Sequence, residues 1–239
     1  MKTIKATTGA RMEELAAGIY RWTTPHPEYR TSVERVGSYA LVDGEMLALV
    51  DPLLPAEGNA AREAVLGRLD ELVLRAPQVE IFVTIPYHAR SAEPLYLRYA
   101  SRLQTRIWGH ERVLRRFRDD RTRLDVIPRG PVGSAIRVAD GRALAFPIGR
   151  PRRTEYPIYF PGHRALAFGD AVVGTKEGLR VWSQSSAGPA WYHDVFAPTL
   201  RPLLDHDPER VLVTHGAPAM KDGRRALEEA LAADPVTMY

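Results

Sequence analysis

The chain has no cysteine among its 239 residues. Disulfides and thiolate-bound zinc are therefore excluded, and a metal would have to be held by histidine and carboxylates. Three stretches carry such residues just behind a short apolar run. Val79 to Thr84 leads into His88, Ala167-Phe168-Gly169 into Asp170, and Val211 to Thr214 into His215-Gly216. Side chains of these types at strand ends suit cation binding or proton transfer, although a lone histidine is more often structural. Arginine is grouped twice, at Arg112, Arg115, Arg116, Arg118, Arg121 and Arg123, and again at Arg150, Arg152 and Arg153. Such groups read either as an anion-binding patch or as solvated faces. Asp119, Asp120 and Asp125 are mixed into the first and no nucleic-acid motif accompanies it, so a solvated face and no nucleic-acid partner are expected.

These residues must be positioned by alternating strands and helices. Gly37 to Val50 reads as a hairpin turning at Asp43-Gly44, and Asp51-Pro52 ends its second strand. Glu57 to Leu74 has helical periodicity in Ala61, Val65, Leu69 and Leu72. Val79 to Thr84 reads as a buried strand, and Ser91 as the N-cap of a helix bearing Leu95, Tyr99 and Leu103. Strands follow at Thr105 to Trp108 and Leu124 to Ile127, with a helix over Glu111 to Arg118 between them. Ile136 to Val138 and Ala143 to Pro147 flank an Asp140-Gly141 turn, and Tyr156 to Phe160 pairs with Ala165 to Phe168 across Pro161-Gly162. His193 to Leu204 is a helix made irregular by Pro198 and Pro202, Val211 to Thr214 a strand, and Gly223 to Ala232 a closing helix. This order suits two sheets packed face to face with helices outside. No linker divides the chain, so a single domain over 1–239 is expected.

The net charge of +4 and the ordinary apolar content fit a globular protein. No apolar run approaches the roughly 20 residues of a membrane span. Met1 to Tyr20 lacks the apolar stretch of a secretory leader, so a cytoplasmic location is expected.

Four landmarks resemble the metallo-β-lactamase superfamily, in its order and near its spacing. They are the hairpin ending in Leu49-Val50-Asp51-Pro52, the strand Val79 to Thr84 before a His-containing turn, Ala167-Phe168-Gly169-Asp170, and Val211-Leu212-Val213-Thr214-His215-Gly216. The resemblance implies an α/β fold, an αββα four-layer sandwich of two mixed β-sheets flanked by helices. It also implies one or two divalent metals that activate water.

The family motif Thr-His-x-His-x-Asp-His is degenerate here. From Thr84, its four ligand places fall on Ile85, Tyr87, Ala89 and Arg90, and His88 is displaced by one residue. The ligand of the family's Pro-Gly-His turn is replaced by Arg150 in Pro147-Ile148-Gly149-Arg150. Pro161-Gly162-His163 lies too close to Asp170 to substitute. Only Asp170 and His215 match by position. The resemblance thus implies a pocket of Tyr87, His88, Arg90, Arg150, Asp170 and His215. It holds either no metal or one zinc, iron or manganese on His88, Asp170 and His215. Arg90 and Arg150 would set fixed positive charge beside Asp170 and suit a small anionic ligand. Asp170 is then either a metal ligand or an Arg-paired carboxylate, and His215 a ligand or a hydrogen-bonded strand end. Asp51 pins a turn by resemblance, and Glu155 either pairs with Arg150 or faces solvent. Trp182, Trp191 and Tyr192 border the groove or fill the core.

Three functions remain open. The first is a metal-free member of the fold that binds a small anionic or polar molecule. The second is a single-metal hydrolase of esters, thioesters or lactams. The third is a non-catalytic scaffold, for example a homodimer partner.

Overall fold

The computed structural model describes residues 11–25, 35–183 and 187–237. His26, in the Pro-rich stretch Thr24-Pro25-His26-Pro27 that the sequence reads as a surface turn, lies outside them.

The first sheet has seven strands, in the order β1 (Glu13–Ala16), β2 (Ile19–Pro25), β3 (Arg35–Asp43), β4 (Met46–Val50), β5 (Gln78–Val83), β6 (Thr105–Gly109) and β7 (Asp125–Val126). It is antiparallel from β1 to β4 and parallel from β4 to β7. The change follows from connection length. Asp43-Gly44 closes β3 onto β4 as a tight hairpin, whereas helix α1 (Ala60–Arg75) carries the chain from β4 back to a parallel β5. Asn59 caps α1 by accepting the Ala61 N–H at 2.9 Å.

Side-chain alternation then assigns the layers. Leu47 and Leu49 of β4, with Val79, Ile81 and Val83 of β5, pack against Leu69 and Leu72 of α1 and Leu95 and Tyr99 of α2 (Ala92–Tyr99). Met46, Ala48 and Val50, with Phe82, face the other way. There they meet Ala145, Ile158, Phe160, Ala167 and Leu212 of the second sheet. That sheet runs β14 (Arg210–Val213), β11 (Ala165–Phe168), β10 (Ile158–Phe160), β9 (Ala143–Ala145), β8 (Ile136–Val138). Its one parallel pair is β11 with β14. Its outer face is covered by Tyr192, Phe196, Leu200 and Leu203 and by Leu227 and Leu231 of α5 (Gly223–Ala232). The result is helices, sheet, sheet, helices.

One buried charge sits in the first sheet. Glu80 occupies the face that otherwise carries Phe82, and is fully buried. Arg106 Nη2 at 2.7 Å, Trp108 Nε1 at 2.6 Å and Gln78 Nε2 at 2.8 Å donate to it, which satisfies the carboxylate.

Several local expectations change. Ser91 precedes α2, but its hydroxyl accepts the Leu54 N–H at 2.9 Å and makes no cap bond. The helix expected over Glu111 to Arg118 is a 3-10 stretch, Glu111–Arg116. The segment from Pro189 to His206 is broken as Pro198 and Pro202 suggest. It comprises α3 (Pro189–Trp191), a π turn over Tyr192–Phe196, α4 (Ala197–Leu200) and a 3-10 end. The pair β12 (Val172–Thr175) and β13 (Gly178–Val181) was not legible, because Gly174 and Gly178 dilute the strand pattern.

Gly216, after β14, adopts φ 79°, and a Cβ there would collide with the Gly174 carbonyl oxygen. The Gly174 N–H in turn donates to the His215 carbonyl at 2.8 Å. Gly216→Ala is therefore expected to cost about 2–3 kcal/mol. Thermal unfolding measures that loss, and an unchanged midpoint would contradict this close approach.

Candidate functional site

The strand ends of both sheets converge on one buried cluster. Asp51 directly follows β4, in left-handed backbone at φ 45°, a conformation that costs a non-glycine residue about 1–3 kcal/mol. The fold holds it there through its carboxylate. Asp51 Oδ1 accepts the Thr84 N–H at 2.8 Å, and Oδ2 accepts the Thr84 hydroxyl at 2.5 Å. Asp51 Oδ2 also lies 2.9 Å from His88 Nδ1 and 3.3 Å from the Thr214 hydroxyl. A carboxylate can only accept, so the His88 Nδ1 carries its proton toward Asp51.

His88 sits on a 3-10 turn (Pro86–Ala89) after β5, and its Nε2 points to Asp170. Asp170 follows β11, and His215 follows β14, the parallel neighbour of β11. The His88 Nε2 and His215 Nε2 lie 3.3 and 3.4 Å from the same atom, Asp170 Oδ1. All three side chains are buried, and a ligand atom from each lies within 4.8 Å of the others. Asp170 Oδ1 nonetheless has no donor in hydrogen-bond geometry among the described residues. Two imidazoles and a carboxylate crowded around an orphaned buried oxygen fit a divalent cation.

The other face of Asp170 is taken. Arg152 Nη1 lies 3.3 Å from Oδ2, and the whole Arg152 side chain is 1% exposed. Its guanidinium lies 4.8 Å over the Trp182 ring, and Trp182 meets His215 edge-on at 5.3 Å. Glu155 stands behind. Its Oε1 accepts the N–H groups of Gly169, Asp170 and Ala171 at 3.0, 3.1 and 3.0 Å, so it fixes the turn that aims Asp170. Its Oε2 lies 4.0 Å from Arg152 Nε.

These contacts set the electrostatics. Burial pushes the Glu155 carboxyl up to about 7, against the pull of Arg152. Burial also acts to raise Asp170, but the His88 charge, the contacts of both imidazoles and Arg152 outweigh it and hold Asp170 well below the carboxylate range. Burial and Arg90 pull His88 down, while Asp51 and Asp170 outweigh them and raise it above 6.5.

The expected residues are thus partly brought together. His88, Asp170 and His215 share one point, and Arg90, half-buried at φ 32°, adds positive charge beside His88. Arg150 does not neutralise Asp170. It is exposed, and the guanidinium at Asp170 belongs to Arg152, two residues on. The turn is closed by the Arg152 N–H on the Gly149 carbonyl at 3.0 Å, and the Glu155 N–H returns to Arg152 at 2.8 Å, which carries Arg152 and Glu155 inward together. Glu155 therefore neither pairs with Arg150 nor faces solvent. Tyr87 is 69% exposed, with Arg116 lying 4.9 Å over its ring. Trp182 borders the site, while Tyr192 is buried in the outer core with Trp191 against it. His163 Nε2 lies 2.9 Å from the Val42 carbonyl, away from the cluster. Arg152 was the residue that counting missed. The visible signal was the run Arg150, Arg152, Arg153 before Glu155.

No family profile and no curated protein matches the chain. Solved structures do. A metallo-β-lactamase from Erythrobacter litoralis with β-mercaptoethanol in the active site is 15% identical, with 92% of this chain and 95% of that one covered at a TM-score of 0.64. The DIM-1 metallo-β-lactamase exposed to ceftazidime is 15% identical, with 93% and 98% covered at 0.62. A metallo-β-lactamase family protein from Thermus thermophilus is 22% identical, with 92% and 80% covered at 0.57. Together with the αββα layering and the strand-end cluster, these matches show that the chain has the metallo-β-lactamase fold.

Proposed function

We propose that this protein is a hydrolase working with a single divalent cation, zinc, iron or manganese, held by His88, Asp170 and His215. The observation that carries the reading is Asp170 Oδ1, buried without an aligned donor while two imidazole Nε2 atoms face it. A carboxylate behind a metal-binding histidine fixes its tautomer and raises its basicity, and Asp51 stands in that place behind His88. Three protein ligands leave a position open for chemistry. Bound there, the cation supplies Lewis acidity, activating water near neutral pH and polarising a carbonyl.

Arg152 takes the role of a second cation. It neutralises Asp170 from the Oδ2 side with a fixed charge. Glu155 holds the Asp170 backbone in place, and Trp182 walls the guanidinium and His215 on one side. The fold supports acyl-type substrates by analogy with the lactamases it matches, so esters, thioesters and lactams form the test panel.

One observation favours a second reading, a metal-free pocket for a small anionic ligand. With His88 doubly protonated, its Nδ1 donates to Asp51 while its charge stands 3.3 Å from Asp170, and Arg152 completes a balanced network. Turnover of the panel before and after zinc, iron or manganese loading separates the two. Metal-dependent hydrolysis falling at least about a hundredfold in Asp170→Asn is the expected result. Absence of turnover under every loading would leave the anion-binding reading standing and overturn the hydrolase.

A further inference from the structure

The two arginine groups of the sequence meet in one cleft outside the buried cluster. A cavity of about 310 Å³ is lined by Pro86, Tyr87, Arg112, Arg115, Arg116 and Thr154. A second, of about 380 Å³, shares Arg112 and Thr154 with it and extends past Arg153 and Tyr156. The first group is exposed as expected, and the acidic residues mixed into it neutralise it in part, Asp119 pairing with Arg121. Glu111 is drawn to Arg129 at 2.6 Å, and Asp119 to Arg121 at 2.6 Å. No carboxylate among the described residues pairs with Arg112, Arg115, Arg116 or Arg153.

Four exposed guanidinium groups thereby line the two adjoining cavities without a carboxylate of their own, and Glu111, which also lines the second cavity, is taken there by Arg129. Arg112 is fixed at the start of its 3-10 stretch, where its N–H donates to His110 Nδ1 at 3.1 Å. Arg116 is fixed over the Tyr87 ring. Arg153 arrives from the segment that also delivers the buried Arg152. Uncompensated like charge in a concave site raises the local concentration of anions and favours oxyanions that accept several N–H bonds.

We propose that this cleft binds a small organic or inorganic ligand carrying at least two phosphate-type oxyanions. Arg112 and Thr154, common to both cavities, hold its middle, with Arg153 acting from the second cavity and Arg115 and Arg116 from the first. The size is that of a small-molecule site, in the range of about 300–1,000 Å³. The site does not depend on the buried His-Asp-His cluster.

The test is calorimetric titration of the full chain with inorganic pyrophosphate and tripolyphosphate. Saturable binding is expected, weakened about five- to tenfold by Arg112→Ala and by Arg153→Ala. Arg121→Ala, which removes an equal charge outside the cleft, should stay within about twofold. His215→Ala should bind as the parent does, which separates this cleft from chelation at the candidate metal site. No saturable binding would overturn the proposal, as would equal weakening by Arg121→Ala or loss in His215→Ala. A single-stranded oligonucleotide binding more tightly than tripolyphosphate would also overturn it, in favour of a nucleic-acid surface.

Discussion

Arg152→Met is expected to destabilise the protein by about 3–5 kcal/mol, because it strands two buried carboxylates around one lost cation. The methionine keeps most of the stem volume, so the loss reports charge and not packing. Asp170 loses the guanidinium at 3.3 Å from Oδ2, and Glu155 loses the one that lies 4.0 Å from its Oε2. For a chain of this size the unfolding midpoint should fall by roughly 10 °C. A double-mutant cycle makes the cause specific. Glu155→Gln removes one of the stranded charges while its amide oxygen can still accept from Gly169, Asp170 and Ala171. The double variant should therefore lose less than the sum of the two singles, by about 1 kcal/mol or more. Strict additivity in calorimetry or denaturant unfolding would contradict the network.

Divalent metal is expected to raise the unfolding midpoint of the parent and leave His215→Ala unmoved. At a free concentration one hundred times Kd the gain is about 2.7 kcal/mol. Asp51→Asn keeps all three ligands but loses the carboxylate behind His88, and should weaken metal binding about 10- to 100-fold. The pH dependence has a definite sign. Metal must displace a proton from His88, whose pKa lies above 6.5, so affinity should climb with pH until that raised pKa is passed and then level off. Asp170, held well below the carboxylate range, does not compete for protons in this window. Affinity falling with rising pH across neutrality would contradict these assignments.

Most of the fold was legible because its signals are local. Asp43-Gly44 is a turn with one geometry, Val65, Leu69 and Leu72 repeat at helical spacing, and α5 lies over the residues its pattern indicates. The glycine-diluted β12 and β13 carry no comparable signal. Within the site, His88, Asp170 and His215 could be found because each follows a strand, and strand ends of a layered sheet converge. Counting failed at Arg150. A family spacing fixes where a turn occurs but not which of its residues points inward, and here the turn Gly149–Arg152 delivers Arg152. Glu155 was opaque for a related reason. Its partners are backbone N–H groups of Gly169 to Ala171, which leave no trace in residue types. The arginine groups were legible only in part. Asp119 does pair with Arg121 of the first group, whereas Glu111 goes to Arg129, so which guanidinium groups lack a carboxylate is set by folding and not by charge balance along the sequence.

The central claim is one cation site, bounded on its far side by Arg152. Its most direct test is the metal content of the chain after loading with zinc and removal of free metal. One equivalent per chain, absent in His215→Ala, is the predicted result. Two equivalents would show that Arg152 does not replace a second cation, and none would show that the His88, Asp170 and His215 cluster holds no metal.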